Sequence, residues 1–396
     1  MLALDGIRVL DITQIMAGPY CTMVLGDLGA EVIKIEKPDG GDDSRQMGPY
    51  VNGESTCFFQ INRNKKSLAL NLKHDQGKAI FRQLAESADV IVENFRPGVT
   101  RSLGIDYDSI RAFNPGIIYC AISGYGQTGP YSHRGGFDLV AQGMSGLMNM
   151  TGEPDGRPLK AGTAVYDIGA GITAVYSILA AYIHRLKTGE GQLVDIAVAE
   201  AGLPWFCWEA AAYFGVGELP HRSGWRHRVS APYQAFKTAS GYIILGCANQ
   251  RTWERLGNDV LGRPELLDDP RFVSNLERQR HVDELEQTLE AILIDHDSAH
   301  WLALCDQAGV PAGPINDFAE ALQDPHYQAR DMVQELEHPV LGRMKALGFA
   351  SKLSGTPPET RYPAPTLGQH TDEILAGQLS LSAEQIGALR DQGTIG

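Results

Sequence analysis

Apolar residues along the amino-terminal half of this chain alternate between two spacings. Ile7, Val9, Leu10 and Ile12 predict a strand, and residues 13–18 a turn. Pro19 suits the start of a helix that runs to about Leu28, where Gly29 stops it. Residues 32–35 form a second strand, so the two strands are parallel and joined by a right-handed crossover. The unit repeats. Leu68, Leu70 and Leu72 alternate; Ile80, Phe81, Leu84 and Ala88 mark a helix; residues 90–92, 117–122 and 192–198 are further strands. Such units predict an α/β chain with a doubly wound, Rossmann-like large domain.

One stretch, residues 162–185, stands apart. Apolar residues recur at Ile168, Ile172, Val175, Leu179 and Ile183, while Gly169, Ala170, Ala174 and Ala181 line another side. The apolar run is shorter than the ~20 residues a bilayer requires, and a helix apolar all round is expected to be buried. Asp167 stands alone at its head. There the free N–H groups and the helix dipole favour an ionised carboxylate, which serves either as a structural cap or as a nucleophile. Spacing alone leaves both open.

From about Trp225 the texture changes. Residues 233–236 and 242–247, joined by TASG, read as a hairpin, followed by polar helices at 275–293 and 298–307. The expected layout is a large domain over 1–200, a linker at 201–224 and a smaller α+β domain at 225–325. Residues 326–396 form a second linker and a segment returning to the large domain. At 396 residues two domains are the natural expectation.

Composition narrows the partners. With 34 Lys and Arg against 48 Asp and Glu, the net charge is −14, which argues against nucleic acid and anionic membrane. The six cysteines stand far apart without a CxxC, so neither a disulfide framework nor a zinc site is expected. Asp5 and Arg8 interrupt the first apolar residues, no signal peptide is evident, and the reading is cytoplasmic.

Against that acidic background Lys34, Lys37, Arg45, Arg63, Lys65, Lys66, Lys73, Arg96 and Arg101 gather in one quarter of the chain, several at or just past strand ends. Open α/β sheets bind ligands there, and the grouping points to a polyphosphate. The first turn, TQIMAGP, has one glycine where a dinucleotide fingerprint has three. There is no GxSxG and no HExxH, and the His296/His300 pair sits on a polar segment, so no metal site is assigned.

Taken in order, the strings LDITQIMAGPYCTMVLGDLGAEVIKIEKP (10–38), GDDSR (41–45), NRNKKSLALNL (62–72), ADVIVENFRPG (88–98), GYGQTGPY (124–131), DPRF (269–272), AGVPAGPI (308–315) and LGQHT (367–371) resemble the class III CoA-transferases. This is the CaiB/BaiF type that includes formyl-CoA and carnitine CoA-transferases. The resemblance implies an interlocked homodimer that moves CoA from an acyl-CoA, with succinyl-CoA a plausible donor, to a small organic or dicarboxylic acid. It implies Asp167 as nucleophile, working through mixed anhydrides and an aspartyl-CoA thioester. Coenzyme A contacts carry over to Gln14, Ile15, Ala17, Lys37, Leu72, Lys73, Asn94, Phe95, Arg101, Ser123 and Tyr125. Gln14 stands where better-known members have histidine, Lys37 where they have arginine, and Ser123 where they have lysine. Gly135, Gly136 and Phe137 are candidates for the oxyanion, and Arg45, Arg222, Arg226 and His227 for the acceptor acid. The region 246–253, GCANQRTW, lacks the glycine-rich loop of the formyl-CoA enzymes. The α-methylacyl-CoA racemases share the fold, but their second base is a histidine in a GHD string. Here GGFD places Phe137 at that point, and a phenyl ring takes no proton.

Overall fold

The structure, a computed structural model, describes residues 1–396. Its centre is a six-stranded parallel sheet: β1 (Arg8–Asp11), β2 (Glu31–Glu36), β3 (Lys65–Ala69), β4 (Val90–Glu93), β5 (Ile118–Ser123) and β6 (Leu193–Ala197). The spatial order is 3-2-1-4-5-6, so the direction of winding reverses between β1 and β4. Adjacent residues of a strand face opposite ways, and the core divides accordingly. Val9, Val32, Val90, Val92, Ile118 and Cys120 pack on one face, Leu10, Ile33, Ile91, Tyr119 and Ala121 on the other.

The first face is covered by α1 (Ala17–Asp27) and by the long helix that begins near Asp167; the second by α2 (Asp75–Glu86). Further along come α3 (Val99–Leu103), α4 (Asp138–Met144), α5 (Val165–Thr188) and α6 (Cys207–Val216). Helix α5 is longer than its apolar run, and by length and composition would pass as a membrane span. Contrary to the expectation from its sequence, it is not buried all round. Its small residues Ala170, Gly171, Ala174 and Ala181 face the core, whereas Ile172, Tyr176, Ile183 and Leu186 are exposed. The reason is close approach: a Cβ on Gly171 would lie 2.8 Å from the Ala17 carbonyl oxygen.

The chain forms two compact units. The larger comprises residues 1–147, 160–216 and 326–396; the smaller, 148–159 and 217–325. The stretch 201–224 is therefore no simple linker. It holds α6, which clusters with the larger unit, and its nearly unbroken apolar sequence offers no period to read. The smaller unit is built on an antiparallel sheet of β7 (Tyr233–Thr238), β8 (Gly241–Gly246) and β9 (Ala312–Pro314). Helices α7 (Asn275–Arg280), α8 (Val282–Leu293) and α9 (Ser298–Ala308) accompany it, around Phe236, Trp253, Phe272 and Trp301.

Candidate active site

The carboxyl end of the sheet gathers most of the residues singled out from sequence. Ile15 and Ala17 follow β1, Lys37 follows β2, Leu72 and Lys73 follow β3, Asn94 and Phe95 follow β4, and Ser123 ends β5 with Tyr125 beyond it. The reversal between β1 and β4, where open α/β sheets leave a ligand crevice, is bridged by a reciprocal pair. The Asn94 side chain accepts the Gln14 N–H at 2.8 Å and donates to the Gln14 carbonyl at 2.7 Å. Ile15 follows at φ +70°, a costly conformation for a β-branched residue. Its N–H is held by Asp42 Oδ1 at 3.0 Å.

Beneath this turn lies a fully buried charge network. Lys34 bonds Asp42 at 2.8 Å and the Thr13 carbonyl at 2.9 Å; Lys65 bonds Asp11 at 3.0 Å. Although burial opposes it, Lys34 and Lys65 hold the Asp11 carboxyl far below the usual range. Burial pulls Lys65 itself down to about 8 against the attraction of Asp11. These lysines, with Arg63 locked onto Asp27, cannot meet a phosphate. They shape the turn instead. Of the expected basic group, Lys37, Lys73, Arg96 and Arg101 remain at the surface, Lys37 beside Asp43 and Arg101 beside Asp108.

Arg45, expected near the acceptor acid, is also otherwise engaged. It forms two bonds to buried Glu36, at 2.7 and 2.8 Å, and lies over the Phe58 ring. In the smaller unit Arg226 is bound to Glu286 and Asp283, Arg222 donates to the carbonyls of Asn149 and Glu153, and the His227 ring stacks on Tyr233 at 4.6 Å. Within 246–253, Asn249 caps the helix Gln250–Arg255.

Past β5 the chain makes a close backbone approach. A Cβ on Gly124 would lie 2.6 Å from Gly136, and one on Gly136 2.5 Å from Gly124. Arg96 covers Gly135, and Phe137 stands exposed just ahead of α4. Tyr125 bonds Met144 and stacks edge-on with Tyr131. Ser123 is buried without a protein partner for its hydroxyl.

Asp167 is the third residue of α5 and half-buried, and no cation pairs with it. It is not the helix cap. The N-cap residue is Ala164, and the free N–H groups are met from another helix by Asp138 of α4, whose Oδ1 accepts those of Tyr166 at 2.8 Å and Asp167 at 3.4 Å. Burial first, and the Asp138 charge second, push the Asp167 carboxyl up to about 6. The helix terminus therefore does not keep it as acidic as position alone implied, because a second carboxylate already holds those N–H groups. Asp167 is still mostly ionised at neutral pH, and more basic than an aspartate in water. Asp138 was missed from sequence except as the last letter of GGFD. Glu93, at the end of β4, was missed too; burial raises it to about 8 although it accepts the Phe95 N–H.

Asp167 is thus a carboxylate of raised proton affinity without a counter-ion, a group of the kind that can act as a nucleophile. The model of CoA-transferase family III matches residues 4–371, and the chain belongs to that family. It is similar to the succinyl-CoA:glutarate CoA-transferase of Mus musculus, 41% identical over 396 residues, which cover 100% of this chain and 91% of the mouse protein. The acetyl-CoA:oxalate CoA-transferase of Acetobacter aceti is 40% identical over 92% of this chain and 93% of that protein. Among solved structures, a CAIB/BAIF family protein from Brucella suis aligns with a TM-score of 0.86 at 37% identity, over 95% of this chain and 99% of that one. The protein is a class III CoA-transferase.

Proposed function

We propose that this enzyme carries CoA from succinyl-CoA to a small dicarboxylic acid, glutarate foremost, with Asp167 as the nucleophile. The observation that carries the mechanism is the unpaired, half-buried Asp167 carboxylate with its raised proton affinity. Asp167 attacks the thioester carbonyl, the C–S bond breaks, and a mixed anhydride and CoA thiolate result. The thiolate attacks the aspartyl carbonyl, releasing the donor acid and leaving an aspartyl-CoA thioester. The acceptor carboxylate then attacks that carbonyl, the C–S bond breaks, and a second anhydride and CoA thiolate result. The thiolate finally takes the acyl group, and Asp167 returns to its carboxylate. Both anhydrides would be lost to free water, so a half-buried nucleophile suits the sequence of steps.

The resemblance assigns CoA to Gln14, Ile15, Ala17, Asn94, Phe95, Ser123 and Tyr125, with Lys37, Leu72, Lys73 and Arg101 toward the nucleotide. Their alignment along one sheet edge supports that assignment. Gly135, Gly136 and Phe137 precede the helix that carries Asp138, and backbone N–H groups there would meet the oxyanion. Glutarate and succinyl-CoA come from the named relatives in mouse and human. A racemase would need a second base, and Phe137 supplies none.

The assembly we propose is an interlocked homodimer. Ile172, Tyr176, Ile183 and Leu186 on α5, and Trp208, Phe214 and Val216 on α6, are exposed in the single chain, more than a lone soluble chain ordinarily leaves to water. The six free cysteines fit a reducing compartment, and we place the enzyme in the cytoplasm.

The test is incubation with succinyl-CoA and glutarate, followed by chromatography of the thioesters. Glutaryl-CoA and succinate in equal amounts are expected. Free CoA without any new thioester, across a panel of acceptor acids, would overturn the proposal.

A further inference from the structure

Asp138 does not hold its place unaided. Gln142, one turn further along α4, is completely buried. Its amide nitrogen donates to Asp138 Oδ2 at 2.6 Å, and its amide oxygen accepts the N–H of Ala161 at 2.9 Å. Asp138 Oδ1 in turn accepts from Tyr166 and Asp167. The chain leading into α5 and the first turn of α5 are thus fastened to one short helix through two side chains.

The chemistry of the amide fixes its direction. A flipped amide would set NH2 against the Ala161 N–H and oxygen against the Asp138 carboxylate, losing both bonds. Leucine could make neither bond. A glutamate could receive Ala161 but would bring a second negative oxygen to Asp138. An amide meets both demands without adding charge, and its burial means that water cannot substitute for it.

We propose that Gln142 is a positioning residue for the transferase reaction. Directly at Ala161, and through Asp138 at Tyr166 and Asp167, it fixes the main chain leading into the nucleophile, and so the angle at which Asp167 meets the thioester. This rests on the reading of Asp167 as nucleophile. Misplacement of a reacting group by about an ångström is enough to cost on the order of a hundredfold in rate. The relay runs through Asp138, Gln142, Ala161, Tyr166 and Asp167, none of them a predicted CoA contact, so its loss acts on kcat more than on KM.

Two variants and two readouts test it in the full-length enzyme. Gln142→Leu removes the relay. The double variant Asp138→Asn with Gln142→Glu exchanges acid and amide and can remake every bond: the new asparagine accepts from Tyr166 and Asp167 and donates to the new glutamate, which accepts from Ala161. Gln142→Leu should lose about 10- to 100-fold in kcat with KM for the acyl-CoA within about threefold. Amide hydrogen exchange at Ala161, Tyr166 and Asp167 should accelerate. The double variant should restore slow exchange at those amides and recover about tenfold or more of the lost kcat. Native exchange rates and native kcat in Gln142→Leu would overturn the proposal, as would faster exchange with kcat unchanged. If the native enzyme transfers no CoA through Asp167, the functional reading fails, and the exchange data alone then decide whether the relay holds the helix.

Discussion

Asp138 accepts the main-chain N–H of Asp167, so the carboxylate that meets the free N–H groups of α5 also lies close enough to disturb the carboxylate that the helix presents. A helix terminus would ordinarily favour an ionised aspartate. Here the favourable N–H groups are already taken, and burial and like charge together make Asp167 a stronger base.

The first consequence is a pH dependence. The nucleophile is the ionised form, so the rate should fall in acid with a midpoint near 6. Asp138→Asn should move that midpoint lower, because it removes the neighbouring charge. A kcat profile between pH 4.5 and 8 checks both.

The same shift predicts a stability change of definite sign. An unfolded aspartate titrates near 3.9, so the folded protein holds this proton more tightly. The associated stability is fully present below about pH 4 and is lost as pH rises through about 6. Asp167→Asn should therefore match the native protein near pH 4 and exceed it by about 1–3 kcal/mol at pH 8. Denaturant melts at the two pH values measure this.

Asn94 ties the turn after β1 to the end of β4 through two hydrogen bonds. Asn94→Ala should free Gln14 and the left-handed Ile15, at about 1–3 kcal/mol for two bonds. The expected result is a rise of about 10- to 100-fold in KM for the acyl-CoA, with kcat much less affected. Steady-state kinetics at saturating acceptor separate the two.

Arg45 belongs to the fold. Its bidentate pairing with Glu36 is buried, and removing one partner strands the other. Arg45→Met should cost about 3–5 kcal/mol in stability while leaving the order of preference among acceptor acids unchanged. A thermal melt beside a competition assay with several dicarboxylates decides it.

How far could this be seen without coordinates? The parallel sheet was legible because its strands show simple apolar runs, and the crevice residues because strand ends follow from strand positions. Lys34 and Lys65 misled: charged residues beside strands look like surface. Yet Lys34 sits between Ile33 and Ile35 on an inner parallel strand, where both faces are covered, and that was the available signal. Arg45 and Arg226 misled for a related reason, since sequence does not show which carboxylate folds back onto a guanidinium. Helix α5 was recognised, but its two apolar sides were not ranked, and small residues at the tight contact push the large ones outward. Asp138 and Gln142 left no signal in spacing; their partners lie 19 to 29 residues on, across a loop without periodicity.

The most direct measurement is to trap the covalent intermediate. The enzyme is mixed with succinyl-CoA without acceptor, reduced with borohydride, digested and mapped by mass spectrometry. A reduced side chain at Asp167, absent when glutarate is added to discharge the thioester first, is the predicted result. Transfer of CoA with Asp167 unmodified, or a label found on another carboxylate such as Asp138 or Glu93, would contradict the account.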